Sequence, residues 1–75
     1  MVFDKVRDMI ASQLQVDAAE IKAESRLVED LKADSANIMV MILELESEFG
    51  MEVEDEVILN LKTVGDVANY IEKHQ

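Results

Sequence analysis

The sequence predicts an all-α domain: a small four-helix bundle, three longer helices and one short helix, with a long loop between helices 1 and 2. Three observations carry this expectation. Apolar residues make up 49% of the 75-residue chain, enough for a packed bundle. There are no prolines and two glycines to interrupt helices. Apolar residues also recur at helical spacing in segments separated by polar stretches. A chain this short makes one domain, 1–75, whose core leaves little margin once conformational entropy is counted.

Phe3, Val6, Ile10 and Leu14 repeat at the spacing of an amphipathic helix, with Met9 beside them, and the helix should end near Gln15 or Val16. From Asp17 to Asp34 the chain is polar, with isolated apolar residues at Ile21, Leu27, Val28 and Leu31. This stretch reads as a long packed loop, since such loops in compact domains are functional or disordered and these apolar residues argue for packing. The second helix should run from about Ser35 to Phe49 and stop at Gly50. On its wheel Ile38, Ile42, Leu45 and Phe49 share one face, with Met41 at the edge, and form the core side. The opposite side holds Ala36, Met39, Val40, Leu43 and Ser47, flanked by Glu44 and Glu48. A bundle this small can hardly bury a helix all round, so the outward apolar stripe reads as a docking surface, for which methionine is adaptable. The alternative is that the helix rotates and buries part of the stripe. Asp55 is expected to cap a short helix carrying Val57, Ile58 and Leu59, with Leu61 just beyond. Thr63 is expected to cap the last helix, with Asp66 in its first turn and Val64, Val67, Ala68 and Ile71 facing inward. Tyr70 and His74 fall at the periphery.

Composition excludes several function classes. There is no cysteine, so there is no disulfide, no thiolate metal site and no sulfur nucleophile of the chain's own. A net charge of -10 opposes nucleic acid and anionic membranes and favours basic protein surfaces. The charge is uneven: no Lys or Arg lies between Lys32 and Lys62, while Asp34, Glu44, Glu46, Glu48, Glu52, Glu54, Asp55 and Glu56 do. That interval is either a surface read by basic partners or a solvated acidic face. It lacks the spaced loop that holds calcium, so no specific metal site is expected, only diffuse binding of divalent cations. Hydrolysis is excluded on inventory, because a nucleophilic serine needs a positioned base and the one histidine, His74, lies in the last residues. The first residues lack the basic start and apolar run of a secretory signal, and no run reaches membrane-spanning length. A cytoplasmic protein, monomeric because its charge opposes self-association, is expected.

Asp34-Ser35 presents a hydroxyl where a polar loop meets an apolar helix. Two readings of that junction stand: a helix cap, or a place where a phosphate-linked group is attached beside free amides and a positive dipole end. The surrounding residues, SRLVEDLKADSANIMVMILELESEF from Ser25 to Phe49, resemble the loop and second helix of acyl carrier proteins, with their acidic-Leu-Gly-Ala-Asp-Ser-Leu motif. Leu14-Gln15-Val16 is similar to the family's Leu-Gly-Val helix exit, and Thr63-Val64 with Tyr70-Ile71 is similar to its last helix. The chain departs from the pattern at Lys32 (usually Gly), Ala36 (Leu), Asn37 (Asp) and Val40 (Glu).

The resemblance implies that Ser35, with Asp34 as its adjacent motif residue, carries 4'-phosphopantetheine, placed there from coenzyme A by a phosphopantetheinyl transferase. It implies a carrier and not an enzyme, holding acyl thioesters for fatty-acid or related biosynthesis. An acyl pocket would involve Leu27, Val28, Ile38, Met41, Leu45, Val53, Ile58, Leu59 and Leu61. Acyl-transfer and chain-processing enzymes with basic docking surfaces would meet Ala36, Met39, Val40, Leu43, Glu44, Glu46, Glu48, Glu52 and Glu56, reading the acids of this interval, Asp34 included, through Lys or Arg. The ordinary interpretation of the pocket set is a close-packed core. The rival function is an unmodified interaction module that docks through its acidic, Met-bearing second helix.

Overall fold

The computed structural model describes residues 2–74, so the expected domain 1–75 has both its end residues outside the described part. Four helices follow in order: α1 (Val2–Leu14), α2 (Ser35–Phe49), α3 (Asp55–Ile58) and α4 (Val64–His74). The bundle is built on α1, which packs against both α2 and α4.

Helical spacing in α1 places Val6, Ile10 and Ala11 on one buried face. The polar side carries Arg7 between Asp4 and Asp8, at 3.5 and 3.1 Å, in surface ion pairs that contribute little. The helix closes when Gln15 turns left-handed at φ 56° and Val16 N–H donates to the Ala11 carbonyl at 3.0 Å. That satisfies a carbonyl the helix end would otherwise leave open. α2 ends the same way, on Gly50 at φ 61°, with Met51 N–H donating to the Glu46 carbonyl at 3.1 Å.

The loop between α1 and α2 is tied down along its length. Asp17 accepts the Ala19 amide at 2.9 Å and starts a single 3-10 turn, Ala18–Glu20, which the sequence reading did not foresee. Ile21 is buried just after it. Ser25 is the buried polar residue among the described residues, and its hydroxyl accepts from Lys22 N–H at 2.9 Å, so that oxygen is paired. The loop then pairs with the start of α4: Leu27 N–H donates to the Lys62 carbonyl and Val64 N–H to the Ser25 carbonyl, each at 3.0 Å. Leu27 is buried in the core between these bonds. Burial of a side chain this size stabilises by about 1.5–3 kcal/mol, which anchors the loop. Gly65 sits where the loop crosses α4. Its N–H donates to the Ala23 carbonyl at 2.8 Å, and a Cβ there would lie 2.9 Å from the same oxygen.

α4 is an amphipathic helix with Val64, Val67, Ala68 and Ile71 buried, as its spacing predicts. Thr63 caps it: the Thr63 hydroxyl accepts from Asp66 N–H at 3.0 Å, and the Asp66 carboxylate accepts from Thr63 N–H at 3.1 Å. At the other end Tyr70 stacks on His74, ring centroids 4.2 Å apart. The expectation for α3 needs correction. Asp55 is its first helical residue and not its cap. The chain arrives extended at Glu54, whose carbonyl takes the amides of Val57 and Ile58 and whose side chain makes no capping bond. Asp55 still places its charge at the positive end of that short helix.

Candidate functional site

Turns at residues 26–33 deliver the chain to α2. Leu31 N–H donates to the Arg26 carbonyl and Ala33 N–H to the Leu27 carbonyl. Between them Lys32 takes the left-handed conformation, φ 62°. The Arg26 guanidinium clasps Asp30 at 3.2 Å and Glu29 at 3.3 Å, and the Asp30 carboxylate also accepts the Arg26 amide at 2.9 Å. These bonds, first the side-chain one from Arg26, hold the Asp30 carboxyl below its ordinary range. Ala33 is buried, and Asp34 and Ser35 emerge to solvent immediately after it.

At the helix start Asp34 and Ser35 divide two tasks. Asp34 is the cap: its carboxylate accepts from Asn37 N–H at 2.8 Å, while the Asn37 side-chain oxygen accepts from Asp34 N–H at 3.4 Å. Ser35 is the first helical residue, exposed, and no hydrogen bond among the described residues involves its hydroxyl. The capping interpretation of the junction therefore belongs to Asp34, and it leaves the Ser35 oxygen free. Because the box uses the amides of Asp34 and Asn37, those of Ser35 and Ala36 have no partner among the described residues and remain as donors at the positive end of α2. This donor set fits a phosphodiester attached to Ser35.

The space beside Ser35 also suits a flexible, partly apolar arm. A cleft of ≈ 370 Å³ is lined by Leu27, Val28, Glu29, Ser35, Ile38, Met39, Ile58, Leu59, Leu61 and Lys62. Six of the nine residues expected to form a pocket, Leu27, Val28, Ile38, Ile58, Leu59 and Leu61, are among them. The other three are not: Met41, Leu45 and Val53 are buried in the core. Burial of Met41 and Leu45 is the close packing that helical spacing dictates for the core face of α2, and Val53 is buried in the segment between α2 and α3, its N–H bonded to the Glu46 carboxylate. Met39, assigned to the outer stripe, lines the cleft as well, and Glu29, Ser35 and Lys62 supply its polar rim. Sequence spacing gave no signal for Glu29 or Lys62, because both belong to irregular segments.

The stripe on α2 stays on the surface. Ala36, Met39, Val40 and Leu43 are all exposed, Leu43 at 59%, and Val28 and Leu59 carry the apolar surface onto the loop and the end of α3. The helix has not rotated to bury it. Of the acids, Glu44, Glu52 and Glu56 are exposed without an ion pair among the described residues. Glu48 is exposed but paired with Lys5 of α1 at 2.6 Å. The Glu46 carboxylate turns inward to accept Val53 N–H at 2.7 Å, fastening the segment after α2. Among the described residues no group of three or more His, Asp or Glu is placed to hold a metal ion. No helix among the described residues is long and apolar enough to cross a membrane.

Residues 4–71 match the model of the phosphopantetheine attachment site family. An acyl carrier protein of Clostridium acetobutylicum is 53% identical over 99% of this chain and 96% of its own length. One from Thermotoga maritima is 40% identical over 96% of this chain and 89% of its own. Among solved structures, a candidate acyl carrier protein from Mycobacterium tuberculosis superposes with a TM-score of 0.93 at 32% identity, over 100% of both chains. An acyl carrier protein of high thermal stability from Enterococcus faecalis gives 0.85 at 35% identity, over 99% of this chain and 94% of the other.

Proposed function

The chain belongs to the acyl carrier protein family, whose prosthetic group is phosphopantetheine, and on that premise we propose that Ser35 is the residue that carries it. The observation that supports this most is the division of tasks at the start of α2. Asp34 caps the helix, so the Ser35 hydroxyl is exposed and, among the described residues, unbonded and beside two amides without partners. The prosthetic group supplies a terminal thiol on which an acyl chain is held as a thioester. This chain's own residues do the rest. The amides of Ser35 and Ala36 would hold the phosphodiester. Leu27, Val28, Ile38, Met39, Ile58, Leu59 and Leu61 give the arm and its cargo an apolar wall that excludes water.

The chain acts as one carrier domain and catalyses nothing itself. A phosphopantetheinyl transferase loads it from coenzyme A. Enzymes of fatty-acid or related acyl biosynthesis then dock over α2. Ala36, Met39, Val40 and Leu43 form the apolar centre of that surface, and Glu44, Glu52 and Glu56 form its charged rim. Glu46 and Glu48 contribute less, since each already has a partner in the fold. A net charge of -10 speeds encounter with basic surfaces and opposes pairing of two copies, which supports a monomer. The unmodified interaction module is not favoured, because a serine needed only as a cap would make the bonds that Asp34 makes instead.

Intact mass after incubation with coenzyme A, magnesium and a broad-specificity transferase tests the assignment. The expected outcome is one phosphopantetheine added to the parent and none to Ser35→Ala. Equal addition to both would move the attachment to another residue. No addition to a folded parent, while a standard carrier loads in parallel, would count against Ser35 as a substrate of that transferase.

A further inference from the structure

Lys62 shares the cleft with Ser35 and is the one basic residue lining it. Its main chain is held on both sides. The Lys62 N–H donates to the Asp66 carboxylate at 3.1 Å, and its carbonyl accepts Leu27 N–H at 3.0 Å. The side chain is exposed, and its ammonium forms no ion pair among the described residues. The acid that lines the same cleft, Glu29, is already paired with Arg26 at 3.3 Å. Lys62 is thus a cation without a partner, fixed at its base on the wall of a cleft into which Ser35 also opens. Lys32 is nearer to Ser35 in sequence but does not line the cleft.

We propose that Lys62 is a positioning residue for the group carried on Ser35: its ammonium pairs with the phosphodiester and keeps the arm along the cleft. The inference rests on the assignment of Ser35 made above. An ammonium on a flexible four-carbon stem acts as a point charge that follows a phosphate without fixing its geometry. In a chain of net charge -10 the added phosphate is otherwise repelled toward solvent, and the one cleft cation opposes that. The pair is solvent-accessible, so salt should weaken it.

The test compares unloaded and loaded forms of the parent, Lys62→Gln, Lys62→Glu and Lys32→Gln, with loading verified by intact mass. Two responses to loading are read in each: the change in thermal midpoint, and the amide NMR shifts of Leu27, Ile58 and Leu61. Taking the loaded-minus-unloaded difference within each variant removes any effect of the substitution on the fold itself. The midpoint change should be most favourable in the parent and in Lys32→Gln, smaller in Lys62→Gln and least favourable in Lys62→Glu. The cleft amide shifts should shrink in the same order, and high salt should erase the differences. Equal responses in all four proteins would overturn the role of Lys62, as would a parent whose cleft amides do not move on loading. Absence of any mass gain at Ser35 is a separate failure: it removes the attachment site, and the assignment of Lys62 falls with it.

Discussion

Lys32→Gly should stabilise the fold. Lys32 sits at φ 62°, a conformation in which a side chain crowds the following carbonyl at a cost of about 1–2 kcal/mol and a glycine does not. Its main chain is held there by Lys32 N–H donating to the Val28 carbonyl at 3.1 Å, a bond that glycine keeps. Against the relief stands the extra freedom of glycine in the unfolded chain, about 0.4–1 kcal/mol. The ammonium removed is exposed and lends Asp30 only a minor charge contribution. The net expectation is a gain of about 0.5–1 kcal/mol, which in a domain this size raises the thermal midpoint by roughly 2–8 °C. Gln15, at φ 56° on the closing turn of α1, should respond in the same direction.

The assay is thermal unfolding followed by far-UV circular dichroism, with Lys32→Ala as control. Alanine removes the charge but keeps the Cβ, so it should bring little of the gain. If Lys32→Gly leaves the midpoint unchanged or lowers it, the left-handed turn carries no strain worth relieving and the reasoning fails. Equal gains from glycine and alanine would instead trace the effect to the lysine side chain.

Other substitutions separate the functions of neighbouring residues. Asp34→Ala should cost about 1 kcal/mol through loss of the cap, while Ser35→Ala should leave the denaturant midpoint nearly unchanged; the reverse order would make Ser35 the cap. Gly65→Ala should destabilise by about 1–3 kcal/mol, because the new methyl meets the Ala23 carbonyl oxygen at 2.9 Å and that oxygen is main chain. Asp30 has a carboxyl held below its ordinary value of 3.8 in the fold, so its stabilising bonds are complete above that value and are lost as pH falls through the lower, folded one. The acid limb of a stability-versus-pH curve should therefore flatten in Asp30→Asn, and an unchanged limb would place the acid sensitivity elsewhere. Val40→Glu should alter affinity for partner enzymes in pull-down or titration experiments while moving the thermal midpoint little, since Val40 is exposed on the face of α2 proposed for docking; a large drop in midpoint with unaltered binding would place it in the core.

How much of this was legible in the sequence depended on periodicity. α1, α2 and α4 each carry one buried face at helical spacing, and their limits and inward residues follow from it. Periodicity is silent where the chain is irregular. It gave neither the 3-10 turn at Ala18–Glu20, set by one Asp17 bond, nor the pairing of Arg26 with Thr63 that folds the loop onto α4. The cap of α3 failed for a related reason: by residue type Asp is a favoured cap and Glu is not, yet the chain enters the helix at Glu54, whose side chain makes no capping bond. At the site, the resemblance pointed to Ser35, but the wheel of α2 put Ile38 and Met41 on the core side and Met39 on the outer one, whereas Ile38 and Met39 both line the cleft and the core encloses Met41. That distinction depends on where α3 and the loop sit across from α2, and those positions are set by contacts between residues far apart in sequence.

With Ser35 as the proposed attachment residue, one helix end serves a fold and a covalent attachment together. A phosphate-bearing serine placed at the cap position would force a choice, because a hydroxyl committed to an ester is a poorer acceptor for the helix amides. Moving the cap one residue back to Asp34 removes the conflict: the carboxylate secures Asn37 N–H whether or not Ser35 is modified. Asn37 sharpens the point. In the motif this chain resembles, an acid occupies that position; an amide there returns the bond to Asp34 N–H without a second negative charge beside the first. Two like charges at this spacing would repel each other and the incoming phosphate. The prediction that follows is directional: Asn37→Asp should lower the affinity of the helix start for an added phosphate, reducing the stability gained, or increasing that lost, on loading relative to the parent. An identical response to loading would show that the amides of Ser35 and Ala36, and not the charge at residue 37, govern the environment of the attached group.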